Sequence, residues 1–235
     1  MPMKPEGPQA IPSWLNGHAY LSLGEGMIDV IDPHSGQVVR RVPRGGAAEV
    51  EVAVTAAQEA MQVWAALPLS ARQRHLAALA DAVLGMAGHL AGLLADDNAC
   101  TPQAAAAEIE AALAALAEGA VNGEATGPVL AVVGEARPLF TLIAAVAPLL
   151  LAGRSVVVRP APRTCGSAYA LCELSARAGW PPGVLNLIQG DESTVALLCQ
   201  RPEIALVVDA GADDPAGLRA AAEAGGKCLI SGGWK

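Results

Sequence analysis

With 235 residues the chain is long enough for one large α/β domain, or two small ones, around a substantial buried core. Its formal net charge of −8 excludes the basic stripe of a nucleic-acid binder, and no Lys/Arg run is present to hold an anionic membrane surface. Hydrophobic residues reach 53% and charged residues only 16%, against a usual charged share of about 25%; surface hidden in an assembly and an alanine-rich composition explain this equally well.

Residues 1–13 are proline-rich and lack the apolar core of a signal peptide, so a disordered leader is expected there. From Trp14 onward, "WLNGHAYLS" and "MIDVIDPHSGQVVRRVPRG" read as short strands turned at Asn16-Gly17 and at Pro33-His34-Ser35-Gly36. Residues 14–44 are therefore expected to form a β-hairpin arm. Residues 45–126 read as a helical part. In "AAEVEVAVTAAQEAMQVWAALP", Val50, Val54, Ala57, Met61 and Trp64 recur at helical spacing until Pro68. "SARQRHLAALADAVLGMAGHLAGLLADD" is expected to be a second helix capped by Ser70, and Pro102 to open a third, rich in alanine.

Residues 127–235 change rhythm to strand and helix in alternation. The strands are "GPVLAVVG", "RSVVVRP", "GVLNLIQG", "EIALVVDAG" and "KCLIS". The helices between them are "LFTLIAAVAPLLLAG", "GSAYALCELSARAG", a stretch through residues 195–199, and "DPAGLRAAAEAG". The first of these is short for a membrane span and carries Pro148, so a buried helix is expected. Continuous β-branched runs between amphipathic helices indicate a parallel sheet covered on both faces. The expected fold class is α/β: a doubly wound, five-stranded parallel sheet, Rossmann-like, with an N-terminal hairpin arm and helices.

Ligands of such sheets lie beyond the carboxyl ends of the strands, here the loops at residues 134–140, 159–164, 190–194 and 209–217. None carries G-x-G-x-x-G, and the phosphate-binding G-x-x-x-x-G-K-[ST] is absent. Gly24-Glu25-Gly26 reads as a turn, and Asp214 before Pro215 as a helix cap with its first residue. Cys100, Cys165, Cys172, Cys199 and Cys228 lie far apart, with no C-x-x-C and no histidine at ligand spacing, so no metal site is expected. Each thiol reads as a small buried hydrophobe, reduced, in a cytoplasmic protein. His18, His34, His75 and His89 have no paired carboxylate, and Trp14, Trp64, Trp180 and Trp234 read as packing residues.

"WLNGH", "IDPHSGQVVRRVPRG", "WAALPLSARQRHLAALADAV", "GPVLAVVG", "LAGRSVVVRPAPRT", "AGWPPGVLNLIQGD" and "GGKCLISGGWK" together resemble the aldehyde dehydrogenase superfamily, in the family's order. The resemblance implies the cofactor-binding half of that fold and a hairpin arm used for subunit assembly. It places Arg159 where the family's lysine contacts the adenosine ribose, and keeps Gly190 and Gly211 as further cofactor-binding candidates. It also exposes departures. Pro162 replaces the acidic residue for the ribose hydroxyls, and Asp213 and Asp214 stand where the diphosphate approaches a helix N-terminus. Ile230 replaces the general-base glutamate, and Arg137 or Ala136 the oxyanion-binding asparagine. Cys228 holds no nucleophile position, and the last residues correspond to the segment before the thiol domain, so no catalytic residue is expected.

Two functions are consistent with this pattern. The first is a non-catalytic assembly or regulatory subunit, pairing with itself or with a full-length aldehyde dehydrogenase and binding no cofactor. The alternative is an NAD- or NADP-binding subunit of an aldehyde oxidoreductase, with Arg159, Gly190 and Gly211 holding the ligand. A fragment without an independent role is a third possibility. Neither nucleic acid nor membrane is an expected partner.

Overall fold

The computed structural model describes residues 7–32, 35–118 and 126–232. Pro33 and His34 of the expected turn, Trp234, and residues 1–6 of the expected leader lie outside them. The amino-terminal segment forms five short strands: β1 (Gln9–Ala10), β2 (Ser13–Leu15), β3 (His18–Tyr20), β4 (Met27–Ile31) and β5 (Val38–Pro43). The expected leader is thus shorter than residues 1–13, because Gln9 and Ala10 pair with Arg40 and Arg41 and Ser13 opens a buried strand. Asn16 and Gly17, with φ of 50° and 80°, form the tight β2–β3 turn that the Asn-Gly pair predicts.

Four helices follow: α1 (Ala47–Ala66), α2 (Leu69–Gly85), α3 (Ala87–Asn98) and α4 (Pro102–Glu118). The single second helix expected from sequence is two, bent by 76° around Met86. Gly85, a weak helix former, marks the break, and the turn lets Leu90 and Leu94 bury in the same core as Leu76, Leu79 and Val83. Ser70 is not the cap of α2, which already begins at Leu69 behind Pro68. Arg72 in its first turn instead donates to the carbonyls of Leu67 at 2.6 Å and Leu151 at 2.9 Å, satisfying chain ends that have no helical partner.

The second half alternates as its periodicity predicts: β6 (Val129–Val133), α5 (Pro138–Leu151), β7 (Val156–Pro160), a 3-10 turn (Pro162–Thr164), α6 (Cys165–Arg177), β8 (Leu185–Leu187), α7 (Glu192–Cys199), β9 (Leu206–Ala210), α8 (Pro215–Ala224) and β10 (Cys228–Ser231). The strands β6 to β10 are parallel, in the order β10-β9-β6-β7-β8. The sheet continues past β8, because β2 pairs antiparallel with it through Trp14 and Leu187, and β3 follows, giving seven strands. The expected arm is therefore two pieces. The β2–β3 hairpin extends the main sheet, while β4 and β5, with β1, form a separate three-stranded sheet.

Both faces of the parallel strands are buried, which is why they read as unbroken apolar runs. Val129, Ala131 and Val133 of β6 face the core shared with α2, α4, α5 and α6, and Leu130 and Val132 face the core shared with α1, α7 and α8. Trp64 anchors the first core: its ring stacks on Trp180 with centroids 5.4 Å apart, and its Nε1 donates to the Leu150 carbonyl at 2.7 Å. No single helix among the described residues is long and apolar enough to cross a membrane.

Candidate functional site

All five parallel strands run the same way, so their carboxyl ends and the following helix N-termini converge on one rim. After β6, Gly134 passes so close to the β9 loop that a Cβ there would lie 1.7 Å from the Gly211 carbonyl oxygen; only glycine fits. The next N–H, of Glu135, donates to Asp213 Oδ1 at 3.0 Å. Arg137 holds a left-handed backbone with φ of 49°, and its guanidinium sits over the Phe140 ring, 4.1 Å from the centroid. The first N–H groups of α5, on Leu139 and Phe140, donate at 2.9 and 3.2 Å to the carboxylate of Glu108, reaching across from α4. Burial pushes the Glu108 carboxyl above its ordinary range, against the pull of these donors and of Arg137.

At the end of β7, Arg159 is only 6% exposed. Its Nε–H finds no acceptor among the described residues. Burial lowers its pKa, while the charges of Glu192, Asp213 and Asp191 oppose that shift. After β8, a Cβ on Gly190 would lie 2.1 Å from Thr194 Oγ1, and that hydroxyl donates to the Gly45 carbonyl at 2.7 Å. Asp191 caps α7 by accepting the Ser193 N–H at 3.0 Å, and pairs with Arg44. Burial pushes its carboxyl up, but the Ser193 hydrogen bonds and Arg44 outweigh this and hold it below its ordinary value.

After β9, one oxygen of Asp209 accepts both the Gly211 N–H at 3.0 Å and the Ala212 N–H at 2.8 Å. Asp214 caps α8 by accepting the Gly217 N–H at 2.9 Å, with Pro215 as the first helical residue, as the Asp-Pro pair predicts. Between the end of β7 and the starts of α7 and α8 lies a cavity of about 150 Å³. Arg159, Glu192 and Asp214 supply its polar groups, and Val132, Val195 and Leu218 its apolar wall.

The structure therefore brings one of the three candidate cofactor residues, Arg159, to a cavity. Gly190 and Gly211 are absent from its lining and serve close approaches instead, Gly190 under Thr194 and Gly211 against Gly134. Sequence reasoning missed Glu108 and Glu192. The only signal for Glu108 was a carboxylate within an alanine-rich, apolar-periodic helix; Glu192 lies in one of the four strand-end loops and carries no motif of its own.

A roomier groove of about 540 Å³ lies between β4, β5 and the end of α3, and Arg163 of the loop after β7 reaches its wall. Its charges answer one another: Arg40 pairs with Asp96 and the buried Asp97, and Arg163 with Glu135. Among the described residues no cluster of His, Cys, Asp and Glu is set to hold a metal ion. Of the five thiols, Cys165, Cys172 and Cys199 are buried, whereas Cys100 is half-buried and Cys228 exposed, contrary to the expectation that each packs inside. The difference at Cys228 arises because β10 is an edge strand with three of its four residues exposed. Burial pushes the Cys165 thiol up to about 12 and that of Cys199 to about 11.

Comparison with known proteins gives one answer. The model of the aldehyde dehydrogenase family matches residues 22–228. The geranial dehydrogenase of Castellaniella defragrans is 32% identical over 208 residues, 78% of this chain and 43% of that protein. The lactaldehyde dehydrogenase of Escherichia coli is 28% identical over 220 residues, 83% of this chain and 46% of that protein. Among solved structures, a variant of aldehyde dehydrogenase C from Pseudomonas syringae, in complex with NAD+ and octanal, superposes with a TM-score of 0.83 at 25% identity, covering 94% of this chain and 49% of that one. The chain spans less than half the length of the curated relatives it matches.

Proposed function

This chain belongs to the aldehyde dehydrogenase family, and from that premise we propose that it works as a non-catalytic assembly or regulatory subunit, paired with itself or with a full-length aldehyde dehydrogenase. One observation carries the reading. Four backbone N–H groups on the strand-end rim, of Glu135, Gly211, Ala212 and Gly217, are already given to the carboxylates of Asp213, Asp209 and Asp214. A phosphate group needs such donors free. It would also meet like charge: two unit charges about 4 Å apart repel by on the order of 4 kcal/mol at an effective dielectric near 20, against about 8 kcal/mol for a whole micromolar affinity. These occupied donors support the reading in which the chain works without a dinucleotide.

Two further features support the reading. Ile230, where the resemblance places an acid, is 47% exposed on the edge strand and has no proton-accepting group. Exposed Leu21, Leu23, Ile31 and Val39 on the amino-terminal strands and loops give an assembly surface its apolar contacts. A cytoplasmic location belongs to the same reading and is supported by five free thiols. The test is size-exclusion chromatography with light scattering, on the chain alone and mixed with a full-length family dehydrogenase. Self-association or a mixed complex is expected; a monomer that ignores the dehydrogenase contradicts the proposal.

One observation favours the second reading, an NAD- or NADP-binding subunit. Arg159, a buried cation at the place the family resemblance gives to the ribose, lines the cavity, and its Nε–H finds no acceptor among the described residues. Calorimetric titration with NAD+ and NADP+ separates the two readings.

A further inference from the structure

We propose that the three-stranded sheet of β1, β4 and β5 docks on the rest of the protein as a separable unit, and that one buried ion pair, Arg40 with Asp97, is the latch that keeps it there. The inference deepens the assembly reading above and rests on it for the purpose of the latch. This sheet carries the exposed Ile31 and Val39, so its docking fixes how that apolar surface is presented.

Among the described residues, none of its strands pairs with the seven-stranded sheet. Its apolar contact with the body is small: Val30 and Val42, with Ile11 and Ile28 beside them, pack on Cys165 in the first turn of α6. Next to this contact the interface is open. The groove of about 540 Å³ runs between Val30, Ile31 and Val39 on the sheet and Ala95, Asp96 and Ala99 at the end of α3. Backbone bonds fix the chain only beside the sheet. The Gly45 N–H, after β5, donates to the Gln189 carbonyl at 3.0 Å, and the Gln189 N–H donates to Ser13 Oγ, after β1, at 3.0 Å. Hydrophobic stabilisation scales with the apolar area buried, so a contact this small leaves the docking to charge.

That charge is Arg40 of β5, whose side chain is 12% exposed and pairs with the fully buried carboxylate of Asp97 near the end of α3. The other oxygen of Asp97 accepts the Ser167 N–H at 2.9 Å, so one carboxylate joins the sheet to the start of α6. The pair is closely fitted, since a Cβ on Gly166 would lie 3.0 Å from Asp97 Oδ1 and 3.1 Å from Arg40 Nη1. Removing one partner of a buried pair leaves a charge with neither water nor counter-ion, whereas an exposed pair is worth little. Arg40 also reaches Asp96 at 3.3 Å, but that side chain is 71% exposed and cannot replace Asp97. One buried pair beneath an element with a small apolar contact opens locally when it is broken, before the two large cores unfold.

Cys165 lies beneath the sheet and reports its position, while Cys172 and Cys199 are buried in the two large cores. The test is thiol alkylation of the full chain and its Asp97→Asn, Arg40→Met and Asp96→Asn variants at neutral pH. Peptide mass spectrometry reads each cysteine, and circular dichroism checks each fold. Asn keeps an acceptor for the Ser167 N–H, so Asp97→Asn removes the charge without removing that bond. In the unaltered chain and in Asp96→Asn, Cys165 is expected to react no earlier than Cys172 and Cys199. In Asp97→Asn and Arg40→Met it is expected to react at least about tenfold faster than those two. Folded variants in which the three thiols still react together overturn the inference. A Cys165 that already runs ahead in the unaltered chain overturns it as well, because nothing would then be latched. Loss of the whole fold in both variants does the same, because the sheet would not be separable from the body. Light scattering on the unaltered chain reads assembly independently: a monomer there contradicts the assembly reading, while the latch stands or falls on the thiols.

Discussion

Asp213 Oδ1 accepts the backbone N–H of Glu135 at 3.0 Å, joining the loop after β9 to the loop after β6. Beside this bond Gly134 and Gly211 meet backbone to backbone. On the rim of the parallel sheet, where an α/β protein normally presents free donors, the N–H groups of Glu135, Gly211, Ala212 and Gly217 are held by the chain's own carboxylates.

The Gly134→Ala substitution tests the closeness of that contact. Its methyl would lie 1.7 Å from the Gly211 oxygen, and backbone cannot rotate away as a side chain would. A loss of about 3 kcal/mol in urea unfolding is expected from overpacking of this kind. A variant as stable as the parent would show that the loops stand apart in solution.

The Asp214→Ala substitution removes the acceptor of the Gly217 N–H and leaves α8 without its cap. The expected cost is about 1 kcal/mol, read as a lower urea midpoint at unchanged slope. Asp214→Asn keeps an acceptor and should recover most of it.

Asp214 was legible because a cap and its helix are neighbours in sequence, and an Asp-Pro pair states the geometry locally. The five parallel strands were legible for a related reason: burial on both faces writes an unbroken β-branched run, as in "VVV" of β7. What sequence hides is pairing at a distance. Nothing in "SWL" marks β2 as the neighbour of β8, and nothing around Glu135 announces Asp213. The break at Met86 is hidden differently, since the helical period of apolar residues continues through it while the axis turns by 76°. Of the candidate site, Arg159 could be placed at a strand end from sequence, but the lack of an Nε–H acceptor among the described residues could not.

Glu108 makes stability depend on pH. Burial raises its folded-state pKa above the ordinary 4.5 of the unfolded chain. Its contribution is therefore fully present below that value and is lost as pH rises through the folded pKa. Glu108→Gln keeps an acceptor for Leu139 and Phe140 but cannot ionise. As pH rises above the ordinary 4.5 the parent should lose stability relative to the variant, measured by urea unfolding at each pH. A difference that is constant or of opposite sign would show that the carboxyl is not penalised by burial.

Thiol reactivity should divide the five cysteines. Cys228 is exposed and Cys100 half-buried, its Sγ near the Leu94 carbonyl at 3.5 Å. Cys165 and Cys199 are buried with thiols raised to about 12 and about 11, and Cys172 is buried and raised as well. A thiol-specific disulfide reagent should modify Cys228 first and Cys100 more slowly in the folded chain, and the other three only after unfolding. Rapid modification of Cys165 in the folded protein would contradict its placement.

The most direct test of the closed rim is an amide NMR titration of the unaltered chain with NAD+. The signals of Glu135, Gly211, Ala212 and Gly217 report the four donors held by Asp213, Asp209 and Asp214. They are expected to stay in place to millimolar NAD+. Saturable movement of these four amides at micromolar NAD+ would contradict the account and make the chain a dinucleotide-binding subunit.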